Sequence, residues 1–195
     1  WAERRMVWRT RPTATRSALV GAQLGVAATP SFDLSELFAS GVIDSSTLSL
    51  QIVGGSTAVS FASRESSPRP TLRLAVGPRV AAVELPAAAD AWVNSRKPRA
   101  RYGGGPRLFV DGAPAREAYV MFDLSAWRGH GYKSLQLNLR SRTSSGGGLS
   151  VERVSAGWSE RALNWRNRPV AGTPLAFRTD PVAAGTITID ISTAF

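Results

Sequence analysis

The sequence predicts an all-β protein, an antiparallel β-sandwich built from parts of two repeated copies. Segments in which apolar and polar residues alternate recur along the chain, glycine-rich turns separate them, and helical periodicity is weak throughout. Alternation puts successive side chains on opposite faces of a strand, so one face packs while the other meets water.

The strands are expected at Thr47–Val53, Ala58–Ala62, Thr71–Val76, Ala118–Leu124, Ser134–Arg140, Leu149–Val154 and Thr186–Ile191, with Pro106–Val110 also strand-like. Within Ser134–Arg140, Leu135, Leu137 and Leu139 are assigned to the core and Gln136, Asn138 and Arg140 to solvent. Gly103–Gly105 and Gly146–Gly148 fall between strands, where glycine relieves the backbone limits of a tight turn. Neither opens a helix, so neither is a phosphate loop. Ser35–Ala39 and Ser125–Trp127 are candidates for single helical turns.

An internal repeat organises the chain. Trp1-Ala-Glu-Arg-Arg-Met-Val-Trp8-Arg-Thr-Arg-Pro12 matches Trp158-Ser-Glu-Arg-Ala-Leu-Asn-Trp165-Arg-Asn-Arg-Pro169 at an offset of 157 residues, and the ungapped alignment holds 13 identities over 38 positions. Residues 1–76 therefore read as the C-terminal half of one copy, 77–89 as a connector, and 90–195 as the N-terminal portion of the next. Incomplete sandwiches leave open edges that flanking sequence, the other half or a neighbouring subunit must complete. The expectation is a mature or ordered segment of a longer polypeptide, with any targeting peptide upstream.

Hydrophobic residues make up 43% and charged residues 19%, a globular composition. No stretch approaches the roughly 18 apolar residues of a membrane helix. There is no Cys, which excludes disulfides and thiolate chemistry. The net charge of +10 is carried by 22 Arg and only two Lys, Lys97 and Lys133, which suits a polyanion or simply reflects arginine-rich codon usage.

Catalytic constellations are absent. The sole histidine, His130, lies in a loop between strands, and none of the seven Asp and seven Glu stands out as a paired acid and base. Asp123 and Asp190, at strand ends, are expected to bond the backbone. Asp90 and Asp111 are candidate calcium ligands or ordinary turn residues. Trp158 and Trp165 recur as Trp1 and Trp8 and suit a structural plug better than an exposed platform; Trp92 is assigned to the core and Trp127 to a partly exposed position. The densest basic region is Arg96, Lys97, Arg99, Arg101 and Arg107, with Tyr102 among them; Arg166 and Arg168 form a second. Arginine forks grip carboxylates bidentately, so both regions suit an acidic glycan, with a solvated loop as the alternative.

The residues Ala89-Asp-Ala-Trp-Val-Asn94, Tyr102-Gly103, Leu108-Phe-Val110, Ala115-Arg-Glu-Ala-Tyr-Val-Met-Phe-Asp-Leu-Ser125, Trp158-Ser-Glu160 and Asn164-Trp-Arg-Asn-Arg-Pro169 resemble the DNRLRE domain family. That family is similar to the carbohydrate-binding module attached to alginate lyases. The resemblance implies a jelly-roll-like sandwich, export to the exterior or cell surface, and binding of acidic polysaccharide through basic residues. With the basic regions and the net charge, the expected contacts are Arg96, Lys97, Arg99, Arg101, Tyr102, Arg166 and Arg168, and the expected partner is an acidic polysaccharide or cell-wall polymer. Nucleic acid is the less expected partner. The competing expectation is a structural repeat of an extracellular fibre, sheath or stalk, completed by strands from copies of itself.

Overall fold

The computed structural model describes residues 42–76, 81–144, 147–170, 173–178, 182 and 184–192, all within the unit Ser31–Phe195. Residues 1–38, which carry the first copy of the repeated motif, with the expected turn at Ser35–Ala39 and the Gly77–Arg79 part of the connector, lie outside the described residues.

Eleven strands run through the described residues: β1 (Thr47–Gly54), β2 (Val59–Ala62), β3 (Thr71–Ala75), β4 (Val83–Pro86), β5 (Ala89–Asn94), β6 (Arg107–Gly112), β7 (Ala115–Asp123), β8 (Ser134–Ser141), β9 (Leu149–Val154), β10 (Thr173–Arg178) and β11 (Gly185–Asp190). Every pairing among them is antiparallel. Each expected strand is present, and Ser125–Trp127 forms a single 3-10 turn. Three further strands, β4, β5 and β10, add to them. β4 lies in the segment read as a connector: it is a four-residue edge strand with Pro86 opposite Thr71, and proline, lacking an N–H, is tolerated at such edges.

The strands form two layers. In the first, β7 pairs with β1 and β5, and β9 lies between β1 and β10. In the second, β8 pairs with β3 and β11, β3 with β4, and β2 with β6. β6 also closes a hairpin with β7, so hydrogen bonding passes from one layer to the other there. Strands from before residue 77 and after residue 89 thus share both layers.

Alternation explains why the layers pack. Leu48, Leu50 and Ile52 of β1 face Phe122, Val120 and Ala118 of β7, all fully buried. Across the sandwich, Leu72 and Leu74 pair with Leu137 and Leu135, and Ile187 with Leu139, in the same core. Burying each such side chain contributes about 1.5–3 kcal/mol. The intervening Gln136 and Asn138 are half-buried and Arg140 is exposed, so β8 turns its polar residues outward as the alternation requires.

A second, smaller core lies on the outer face of the first layer. Ala91, Val93, Tyr119 and Val154 point away from the main core, and the segment between β9 and β10 lays Leu163, Trp158 and Trp165 over them. Trp158 meets Tyr119 edge-on at 6.0 Å, and its indole N–H donates to Ser49 Oγ at 2.6 Å. The repeat motif therefore forms a cover over this face, with both tryptophans half-buried.

Strand ends are tied by short side chains. Asp123 Oδ1 accepts from the Ser125 N–H at 2.9 Å, which holds its carboxyl below the usual range. Asp190 Oδ1 accepts from the N–H and Oγ of Ser192 at 2.9 and 2.6 Å. Both are bonds of the kind expected at those positions.

Candidate functional site

Two loops converge at one end of the first layer. The loop between β5 and β6 starts with an Asx turn, Asn94 Oδ1 accepting from the Arg96 N–H at 2.9 Å, and continues as turns with Lys97 N–H to Asn94 O at 3.1 Å and Ala100 N–H to Lys97 O at 3.0 Å. The cover segment repeats the device: Asn164 Oδ1 accepts from the Arg166 N–H at 2.9 Å. Each turn leaves its arginine exposed.

The loops meet because position 103 has no side chain. A Cβ there would overlap the backbone of Glu160, so glycine permits the contact. Tyr102 anchors the same loop by stacking on Trp92 at 3.9 Å and 17°, and Phe109 tilts against that indole at 5.0 Å. Trp92 in turn packs against the main core, so the loop rests on a rigid base.

The result is an open basin of about 400 Å³ lined by Lys97, Pro98, Arg99, Ala100 and Arg166. Among the described residues, three cations and no acid line it. Lys97 and Arg166, far apart in sequence, are brought together; Arg96 and Arg101 stay exposed outside the lining. Arg168 has a different position. Its Nε pairs with Glu117 Oε2 at 2.9 Å, its Nη1 donates to Trp165 O at 2.6 Å, and its guanidinium lies 3.7 Å from the centre of the Trp165 ring. It therefore holds the cover to β7. One face of Tyr102 is likewise occupied by Trp92.

The acidic candidates separate. Asp111 Oδ1 accepts from the Ala113 N–H at 3.2 Å in the β6–β7 turn. Among the described residues, Asp90 instead gathers with Glu65 and Glu160, their oxygens within 4.8 Å of one another. Arg64 sits in this group: its Nε contacts Glu65 Oε1 at 3.1 Å and Glu160 Oε1 at 2.8 Å, and its N–H donates to Asp90 Oδ2 at 2.6 Å. Glu160 Oε1 also accepts from the Asp90 N–H at 3.0 Å. Calcium requires about six to eight oxygens free to coordinate it. Here a guanidinium already supplies the countercharge and N–H donors take the oxygens, so the group does not fit that ion. Burial, with Glu65 and Glu160 adding to it, pushes the Asp90 carboxyl up to about 7.

The Arg64 network and the union of the two basic loops were not legible in the sequence. Glu160 carried one signal, its recurrence as Glu3 in the repeat; Arg64 carried none.

A family model described as carbohydrate-binding module family 96 matches residues 81–194, more than half of the chain. No curated protein and no solved structure matches it significantly.

Proposed function

Because the chain belongs to carbohydrate-binding module family 96, we propose that it is a non-catalytic module of a secreted or cell-surface protein that binds acidic polysaccharide at the basin of Lys97, Arg99 and Arg166. The carrying observation is the convergence of three cations, with no acidic residue among the described lining, on a depression flanked by two Asx turns. An arginine fork takes a sugar carboxylate with two parallel hydrogen bonds, and lysine adds a compact charge. Arg96 and Arg101 extend the positive field at the rim, Tyr102 fixes the loop, and Arg168 positions the cover that carries Arg166. The pairing of strands from before residue 77 with those after residue 89 supports one binding unit made from portions of two repeat copies. The likeness to DNRLRE domains supports the same reading.

Retention on an acidic-polysaccharide gel tests it. Retention is expected to fall as salt rises, since exposed charges are screened within about 10 Å at 0.1 M. Replacing Lys97, Arg99 and Arg166 together by Ala is expected to weaken binding at least about tenfold, at about 1.4 kcal/mol per decade. Equal retention of the triple variant would overturn the assignment.

A further inference from the structure

The outer face of the second layer is polar, and the β9–β10 cover packs on the other layer. The registers place its side chains in rows across the strands. One row runs Glu84, Arg73, Gln136 and Asp190 across β4, β3, β8 and β11; the next runs Pro86, Thr71, Asn138 and Thr188; a third pairs Arg140 with Thr186. Their neighbours in sequence, Leu72, Leu74, Leu137, Leu139 and Ile187, are buried in the main core, so these rows point outward. Strands lie about 4.8 Å apart, so the rows span about 14 Å.

This face is a shallow groove of about 470 Å³. At its centre the Asn138 amide is held from both sides: its Nδ2 donates to Thr71 Oγ1 at 3.4 Å, and its Oδ1 accepts from Thr188 Oγ1 at 2.8 Å. Arg73 Nη1 donates to Gln136 Oε1 at 3.5 Å, which leaves the Gln136 amide nitrogen free to donate. Arg73 and Arg140 are exposed in different rows, Arg69 stands at the rim, and none of the three has an ion-pair partner among the described residues. Of the two acids in these rows, Glu84 lines the groove with the arginines, and Asp190, which accepts from Ser192, lies outside the lining. Among the described residues no aromatic ring lines the groove, so a ligand there would be met by hydrogen bonds and charge, without stacking.

We infer that this face is a second binding site, for an extended acidic polysaccharide lying across β3, β8 and β11. Arg73 and Arg140 take carboxylates of the polymer, and the amides of Gln136 and Asn138, with the threonine hydroxyls, take its hydroxyl groups. The fixed Asn138 amide costs little further ordering when a sugar docks. The inference shares its ligand class with the basin reading and rests on different residues.

The test is a titration of the isotopically labelled full chain with an oligogalacturonate, followed by amide chemical shifts, with a neutral xylo-oligosaccharide of equal length as control. Shifts are expected on β3, β8 and β11, and Arg73→Ala with Arg140→Ala should weaken that binding about tenfold or more. Both side chains are exposed, so the variant retains the fold; Arg140→Lys, which keeps the charge and loses the fork, should fall between. The Lys97, Arg99 and Arg166 variant should leave the β3–β8–β11 shifts in place. Shifts confined to the basin loops, or full-strength binding by the Arg73 and Arg140 variant, overturn this inference and spare the basin. Shifts on the strands alone do the reverse. Binding nowhere overturns both. Equal binding of the neutral sugar, or a dimer in solution broken by the same substitutions, overturns the acidic-glycan assignment of this face.

Discussion

The two outer faces of the sandwich start from the same pattern and end differently. On the first layer, Ser49 and Gln51 alternate with Leu48, Leu50 and Ile52, yet both polar residues are buried because Trp158, Leu163 and Trp165 arrive from the β9–β10 segment to cover that face. On the second, Gln136 and Asn138 alternate with Leu135, Leu137 and Leu139 in the same way and stay half-open in a groove. A polar residue on a strand reads as solvent-facing in both cases. What decides its burial is whether another part of the chain brings apolar surface over it; Ser49 also gains the Trp158 N–H, whereas Gln51 Oε1 is buried without a hydrogen-bond partner.

The sharpest way to break this contrast is to remove the cover. Trp158→Ala deletes the indole packed on Tyr119 and leaves Ser49 Oγ without that donor; the expected loss is about 3 kcal/mol, read by denaturant unfolding. Trp158→Phe, which keeps most of the packing, is expected to lose about 1 kcal/mol. A smaller loss for the alanine variant than for the phenylalanine variant would show that the cover contributes little.

The seam of the cover is pH-sensitive. The folded state holds the Asp90 proton up to about pH 7, whereas an unfolded aspartate releases it near 3.8. Between these limits the folded state binds more protons, so the contribution of Asp90 favours folding fully below the lower limit and is lost as pH rises towards 7. At about 1.4 kcal/mol per pKa unit, the rise from 3.8 to about 7 corresponds to a change on the order of 4 kcal/mol. Asp90→Asn, which keeps an acceptor for the Arg64 N–H, should flatten this part of the stability profile; an unchanged slope would assign it to another group.

Arg168→Ala removes the clamp between Trp165 and Glu117 and is expected to cost about 1–2 kcal/mol, seen as a lower unfolding midpoint. The open face should respond least. Arg140→Ala is expected to change stability by no more than about 0.5 kcal/mol, because its side chain is exposed and unpaired in the described residues. A larger loss would mean that this face carries a structural load like that of the covered one.

Much of the fold was legible because alternation over five to eight residues leaves few ways to bury Leu, Ile and Val. Thr47–Val53, Ser134–Arg140 and Thr186–Ile191 all became strands within a residue of their expected limits. β4 was not legible, since Val83-Glu-Leu-Pro86 is short and ends on proline at an edge. β10, which holds Pro174 and a register irregularity against β9, was equally hidden. Of the candidate site, the basic loop after Asn94 could be seen as a charge cluster, but its junction with Arg166 depends on Gly103 meeting Glu160.

By itself the sequence determined the all-β class, the strands of strongest alternation, the backbone-bonding roles of Asp123 and Asp190, and the basic character of the β5–β6 loop, because each follows from residues close together in the chain. Only the tertiary structure decided that Trp158 and Trp165 cover one sheet, that Lys97, Arg99 and Arg166 share a basin, that Arg64 lies among Glu65, Asp90 and Glu160, and that Arg73, Asn138 and Thr188 line one groove. Those pairings join segments tens of residues apart, and long-range strand register, which local pattern does not encode, sets which of them meet.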